Sequence, residues 1–276
     1  MVGAPRAGPP RVSPGAWRAA ACGRREGGSV GQQASPRCPA IAVLALILPL
    51  APAGAAAADG TACLNPVLSK TGTVVVLNRR SLVSGRMVQE NRAGIRVAGP
   101  AVFNGNQATQ LDVTGTITAG DGAGVTTRAK TYLRLNGAVE DTFGGTSDLI
   151  PPPGTGTAVY SPPRRGRFDL AVGASFTQTV TETMTITGSP TSNGSHSRSQ
   201  TTTRTFLGFE DVSVPAGTFA QACKWRDDIQ VSDAPGVTTT ATEWVARQSG
   251  LPLRTLSGAS DQVLLSASIN GVPVTP

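Results

Sequence analysis

The sequence predicts a mainly β protein with few helices, built as a barrel, a half-barrel or a sandwich of antiparallel strands. Two observations carry this. Beyond residue 72, Val, Ile, Leu and Thr alternate with polar residues in short runs, and Gly, Asn, Asp and Pro separate the runs at regular spacing. No stretch there shows a convincing 3.6-residue apolar period; the best helical candidate, Ser81 to Ala93, is interrupted by Gly85.

The strands follow in order. TVVVL at 73–77 opens the pattern. Residues 110–119 set Leu111, Val113, Gly115 and Ile117 against Gln110, Asp112, Thr114 and Thr116, and GDGAG at 120–124 reads as a loop. Residues 129–135 alternate again, and Asn136-Gly137 is the strongest hairpin signal because both central residues of a type I′ turn need positive φ. The proline-rich stretch 151–167 reads as a long connection within one sheet. From 176 to 187 the alternation is unbroken: Thr177, Thr179, Thr181, Thr183, Thr185 and Thr187 line one face, and Phe176, Gln178, Val180, Glu182, Met184 and Ile186 the other. A polar tip at 188–195 leads into a second Thr-rich strand, 197–206.

VPAGTFAQACKW at 214–225 reads as a turn between two strands. Pro215 presets φ for the first corner, and Gly217 supplies the left-handed position of a three-residue loop. Strict alternation then places Phe219, Gln221, Cys223 and Trp225 on one inward face. With Trp244, Leu251 and Leu253, Phe219 and Trp225 are the expected core, and Pro215 and Gly217 the structural turn.

Residues 1–58 are read as leader. Arg37 precedes the apolar run IAVLALILPL at 41–50, and small residues through Ala58 follow, which is the order of a secretory signal peptide. The run falls well short of the roughly 20 residues that span a bilayer, so no integral membrane segment is expected once it is removed. A later start at a non-Met codon, with Val30 the candidate, fits the unusual composition of 1–40 equally. Residues 59–276 then form a single exported β-rich domain of the periplasm or cell envelope, with an outer-membrane lipoprotein disfavoured because Gly60-Thr61-Ala62 is a poor lipobox.

This division changes the charge argument. The formal net charge is +7, but six Arg against Glu26 in the leader account for +5, leaving 18 basic and 16 acidic residues, or +2, beyond it. No nucleic-acid footprint remains. Two of the four cysteines, Cys22 and Cys38, also lie in the leader; Cys63 and Cys223 remain and are expected to form a disulfide in an oxidising compartment.

The inventory for chemistry is poor, and no enzyme, metal or cofactor is expected. His196 is the single histidine, in a polar tip with no G-x-S-x-G elbow in the chain. Zinc needs three or four ligands, which are wanting once the cysteines pair. Neighbouring acids on a strand point to opposite faces, so Glu140-Asp141, Glu210-Asp211 and Asp227-Asp228 read as solvated carboxylates. Arg164, Arg165 and Arg167 read as surface charge, and Asn193-Gly194-Ser195 as a chance sequon in a turn.

VPAGTF (214–219), a Trp-containing strand, WVARQSGLPLRT (244–255) and LLSASINGV (264–272), together with YSPP (160–163) and Phe168 to Phe176, resemble exported bacterial proteins of uncharacterised activity with a Val-Pro-Ala-Gly-Thr-Phe turn. The resemblance covers roughly 155–272. It implies the half-barrel fold of the periplasmic lipoprotein carriers, a curved antiparallel sheet that covers a lipid, lipoprotein or other apolar ligand. The helices that close the concave face of those carriers are not found in this sequence. The alternative role is a structural or protein-interaction factor of the envelope.

Overall fold

The computed structural model describes residues 59–149, 154–189 and 193–276. The leader and signal region, 1–58, and the centre of the 188–195 tip lie outside the described residues. Thirteen strands follow one another: β1 Val74–Val83, β2 Arg86–Phe103, β3 Asn106–Gly120, β4 Thr126–Asn136, β5 Val139–Leu149, β6 Gly154–Arg167, β7 Ser175–Thr187, β8 Gly194–Val214, β9 Gly217–Val231, β10 Thr238–Val245, β11 Pro252–Ser257, β12 Ser260–Ile269 and β13 Val272–Pro273. Each pairs antiparallel with the next. β1 also pairs with β12 from Val75–Ile269 to Val83–Ser260, so twelve strands close on themselves. Of the architectures the sequence allows, the closed barrel forms: the curved sheet continues until its edges meet, and closure satisfies backbone groups that an open half-barrel leaves unpaired.

The connections explain why the order is a simple meander. Three two-residue hairpin turns, Ser84-Gly85, Asn104-Gly105 and Asn270-Gly271, hold both residues at positive φ, as type I′ turns require. At the predicted Asn136-Gly137 turn the register is moved by one: Asn136 pairs with Val139, so Gly137 (φ 60°) and Ala138 form the tip. The loop after Val214 is likewise shorter than expected. Gly217 pairs with Val214, leaving Pro215 and Ala216 as the two loop residues.

Ser81 to Ala93, the best but interrupted helical candidate, is the end of β1, a turn and the start of β2, and among the described residues there is no α-helix. One further expectation is corrected. Residues 154–167 are no loop but strand β6. Its Pro162 and Pro163 fall in a wide bulge, between Val159, which pairs with Gly144, and Arg164, which pairs with Thr142. Proline lacks the N–H a ladder needs, so it is tolerated where pairing is interrupted. β6–β7 pairing also stops at Ser161. There Gln178 takes over for the ladder: its Oε1 accepts from the Arg165 N–H, and its Nε2 donates to the Arg165 carbonyl, both at 3.0 Å.

The β8–β9 hairpin is bent by bulges in both strands. Glu210 pairs with Ala222 and Val212 with Phe219, so two residues of β9, Ala220 and Gln221, oppose Asp211 alone. Gln221 has φ 52°, and its N–H donates to Asp211 Oδ1 at 2.8 Å. This extra residue switches the side-chain faces. Phe219 and Ala222 join Val212, Val214, Val75, Leu77, Trp244, Leu251, Leu253, Val263, Leu264 and Ala267 in one buried cluster. Cys223 and Trp225 join a second, with Cys63, Leu170, Phe206 and Val245. The expected single face of Phe219, Gln221, Cys223 and Trp225 is therefore split, and Gln221 is exposed.

The bent tip serves the barrel seam. β11 covers β12 only as far as Val263, and β13 covers Ser268 and Ile269. Between them the Leu264 carbonyl accepts the Ala216 N–H (3.2 Å), and the Ala267 carbonyl accepts that of Val274 (2.9 Å). Trp244 pins the tip: its indole N–H donates to Glu210 at 2.6 Å, while Lys224 and Arg254 lie over its ring.

Candidate functional site

The outward face of β7 and β8 is a ladder of hydroxyls. Ser175–Thr205, Thr177–Thr203, Thr179–Thr201, Thr181–Ser199, Thr183–Ser197 and Thr185–Ser195 each pair side chain to side chain at 2.8–3.2 Å. The opposite face of the same strands carries Phe176, Gln178, Gln200, Thr202 and Arg204 into a cavity of about 360 Å³. Side chains from β5 (Glu140, Thr142), β6 (Arg164), β9 (Asp227, Ile229) and β10 (Glu243, Val245) complete its wall, with Phe168 from the loop after β6.

One end of this lumen is sealed by the beginning of the described chain. The 3-10 turn Gly60–Cys63 is N-capped by Asp59, whose carboxylate accepts the Thr61 N–H. Cys63 is joined to Cys223 by a disulfide across a separation of 160 residues. Both are buried, as is Trp225, which is 0 % exposed. The Gly60 N–H donates to the Leu170 carbonyl, the Gln248 N–H to that of Ala62, and Asn65 Nδ2 to that of Ser249. The seal is thus sewn to the β6–β7 and β10–β11 connections.

Above the seal sits a charge network assembled from three strands. Arg204 on β8 bonds Asp227 on β9 at 3.3 Å and Glu243 on β10 at 3.1 Å, with its guanidinium 4.7 Å from the centre of the Trp225 ring. The register makes this possible: Arg204 lies opposite Asp227, and β10 lies on the far side of β9. Burial raises the Asp227 carboxyl above the ordinary range, against the pull of Arg204 and reinforced by the Glu243 charge. Burial likewise raises Glu140, with Arg204 and the Thr142 hydroxyl opposing. Arg79 on β1, bonded to Gln262 at 3.2 Å, is lowered by burial while the Glu243 charge opposes. Arg79, Glu140 and Asp227 are thus partly desolvated, in surroundings where charges interact far more strongly than on the surface.

The acidic pairs divide as strand geometry demands, but not all of them are solvated. Glu140 faces the cavity, while Asp141 is 5 % exposed and its pKa is lowered from the ordinary value, first by the bond from Arg165 and, against the cost of burial, by Arg134. Asp227 faces the cavity, while Asp228 accepts from Arg226 and the Thr240 hydroxyl. Glu210 is lowered by Lys224 and by the Trp244 indole N–H. The arginine cluster divides too: Arg165 holds Asp141, Arg167 holds Asp169, and Arg164, itself exposed, stands at the cavity wall.

The other singled-out residues are placed as follows. Phe219, Trp244, Leu251 and Leu253 are buried in the first cluster. Pro215 and Gly217 shape the hairpin tip, and the Pro276 ring occupies the space beside Gly217. His196 is not at a hairpin tip; it lies within β8 opposite Met184, 3.5 Å from Asp233. Asn193 accepts the Ser189 N–H. Arg79, Arg204 and Glu243 carry no sequence motif that singles them out as site residues. The alternation from 176 to 187 is a partial signal: it separates Phe176 and Gln178 from the threonines but does not say which face is interior.

No protein-family model matches the chain, and no curated protein matches it. Two solved structures resemble it. One, from Bacteroides fragilis, is described as an exported protein with a YmcC-like fold; it shares 16% identity over 72% of this chain and 97% of its own, with a TM-score of 0.42. The other, from Parabacteroides distasonis, is described as a lipoprotein; it shares 16% identity over 72% of this chain and 96% of its own, with a TM-score of 0.38.

Proposed function

We propose that the protein is a non-enzymatic, exported barrel of the bacterial envelope that holds a small polar ligand in its lumen. The observation that carries this reading is the cavity whose wall brings Arg204, Asp227, Glu243, Glu140 and Arg164 together from five strands. Export is supported by the signal-like order of residues 41–58 and by the Cys63–Cys223 disulfide, which belongs to an oxidising compartment. The hydroxyl ladder on the outside of β7–β8 suits an aqueous compartment, since lipid-facing strands carry apolar residues there.

The cavity chemistry revises the ligand expected by resemblance to the lipoprotein carriers. A lipid tail in this lumen would strip water from charged groups and give no hydrogen bonds in return, which is costly. A ligand with several donors and acceptors replaces that water, and Phe168 and Phe176 offer it an apolar surface.

Native mass spectrometry of the protein purified from envelope fractions tests the reading. A small-molecule mass increment is expected, lost on denaturation and released chemically unchanged. Bare protein, with no uptake from a fractionated extract of polar metabolites, would count against a ligand-holding lumen. A released molecule altered by the protein would point to an enzyme.

A further inference from the structure

Arg204 is neutralised within the lumen by Asp227 and Glu243. Two other cavity charges are not. Arg164 forms no ion pair among the described residues; its guanidinium lies over the Tyr160 ring at 4.6 Å, while its charge is still felt at Asp227. Glu140 forms no ion pair among the described residues either, and the nearby Thr142 hydroxyl favours its charged form. Arg164 lies opposite Thr142, and Glu140 lies two residues before Thr142 on the same face. The residue opposite Glu140 is Gly166, so the strand itself places no side chain there, and the Phe168 ring is the neighbour, 3.8 Å from where a Cβ would stand. A third group is independently unsatisfied: Asp227 Oδ1 is buried with no hydrogen-bond partner among the described residues.

An unpaired guanidinium beside an unpaired carboxyl and an orphaned carboxylate oxygen ask for a ligand with both signs of charge. A simple anion would satisfy Arg164 and leave Glu140 and Asp227 Oδ1 bare. A simple cation would satisfy the acids but face Arg164 and Arg204. The cavity lining carries both signs, Arg164 and Arg204 with Glu140, Asp227 and Glu243, so a ligand that itself carries both signs meets opposite charge at each end.

Resting on the lumen-binding reading above, we infer that this cavity takes a small zwitterion of the α-amino-acid class, its carboxylate on Arg164 and its ammonium on Glu140 and Asp227 Oδ1. The guanidinium fork matches a carboxylate with two parallel bonds. An ammonium brings three donors, enough for both acidic groups. Phe168 and Phe176 then flank the ligand's own side chain.

Isothermal titration of the purified protein tests this with L-phenylalanine, L-alanine, L-phenylalaninamide (no carboxylate), N-acetyl-L-phenylalanine (no ammonium) and glucose. At least one free amino acid should bind ten-fold or more tightly than either blocked derivative. Arg164→Gln should weaken that amino acid at least ten-fold and leave the amide within two-fold. Glu140→Gln should weaken the amino acid and leave the N-acetyl derivative nearly unchanged, with far-UV circular dichroism confirming that both variants fold. Equal affinity for free and blocked forms, or binding of glucose alone, overturns the zwitterion and leaves the lumen as a binding site. Absence of heat from both free amino acids also overturns it, while mass increments in the native spectrum decide the broader reading separately.

Discussion

Gly60 lies so close to the Trp225 indole that a Cβ on the glycine would stand 2.3 Å from Cζ2 and 2.5 Å from Cη2. The Phe168 carbonyl, 2.8 Å from the same point, blocks movement the other way. Gly60→Ala should therefore destabilise the protein by about 1–3 kcal/mol, the usual cost of overpacking. Urea unfolding followed by tryptophan fluorescence measures it. In a Trp225→Phe background, where the clashing ring atoms are gone, the cost of Gly60→Ala should shrink; full additivity would mean the contact is not as tight as described.

The Cys63–Cys223 bridge spans 160 residues. Chain entropy puts its stabilisation at about 5 kcal/mol, an upper figure since measured values fall lower. A non-reducing peptide map should recover both cysteines in one linked species. Paired Cys63→Ser and Cys223→Ser substitutions should lower the urea midpoint and expose the lumen seal, with Trp225 emission shifting to the red. Free thiols in the native protein would remove the clamp.

Glu140 and Asp227 act on stability in the opposite sense to Asp141. A carboxyl whose folded pKa is raised holds its proton more tightly in the native state. Stability is therefore lost as pH climbs from the unfolded value, about 4, through the raised one. Glu140→Gln should gain on wild type over that rise and match it near pH 3, where the carboxyl is protonated in both states. Unfolding midpoints at pH 3, 5 and 7 test this; parallel curves would show that Glu140 is not desolvated.

For Asp141 the folded pKa is lowered, so its contribution is full above the ordinary carboxylate range and lost as pH falls through the folded value. Asp141→Asn should cost about 1–2 kcal/mol at pH 7, given the charge-assisted bonds it removes and the solvent exposure of Arg134 and Arg165. The deficit should narrow in acid. A deficit independent of pH would assign it to packing.

Trp244→Phe keeps most of the buried ring but removes the bond to Glu210. A loss of about 1 kcal/mol is expected. Hydrogen exchange should show it as faster exchange at the Ala216 N–H, which binds the Leu264 carbonyl, because the tip is what Trp244 anchors. Uniformly faster exchange would mean that Trp244 stabilises the barrel as a whole.

Much of the local structure was legible in the chain. The alternation from 176 to 187 separates the hydroxyl ladder from Phe176, Gln178 and Val180, because side chains on a strand point to opposite faces. The Asn-Gly turn read at 136–137 lies one residue out of place, while two other Asn-Gly dipeptides, at 104–105 and 270–271, form the turns themselves. Bulges were the main loss. Nothing in AQAC announces that Gln221 is the extra residue that sends Phe219 and Cys223 to different clusters. A period-two pattern is also blind to which face is interior when both contain polar residues, and this hid the lumen charges.

Sequence by itself determined a run of antiparallel strands, several of the turns between them and two cysteines available to pair, since alternation, backbone freedom and residue chemistry are local properties. Tertiary structure decided that the sheet closes, because β1 must find β12 nearly 200 residues away to satisfy both edges. It also decided the site. Arg204, Asp227 and Glu243 become neighbours only through the registers of β8, β9 and β10, and their altered chemistry comes from burial inside a wall that no single segment contains.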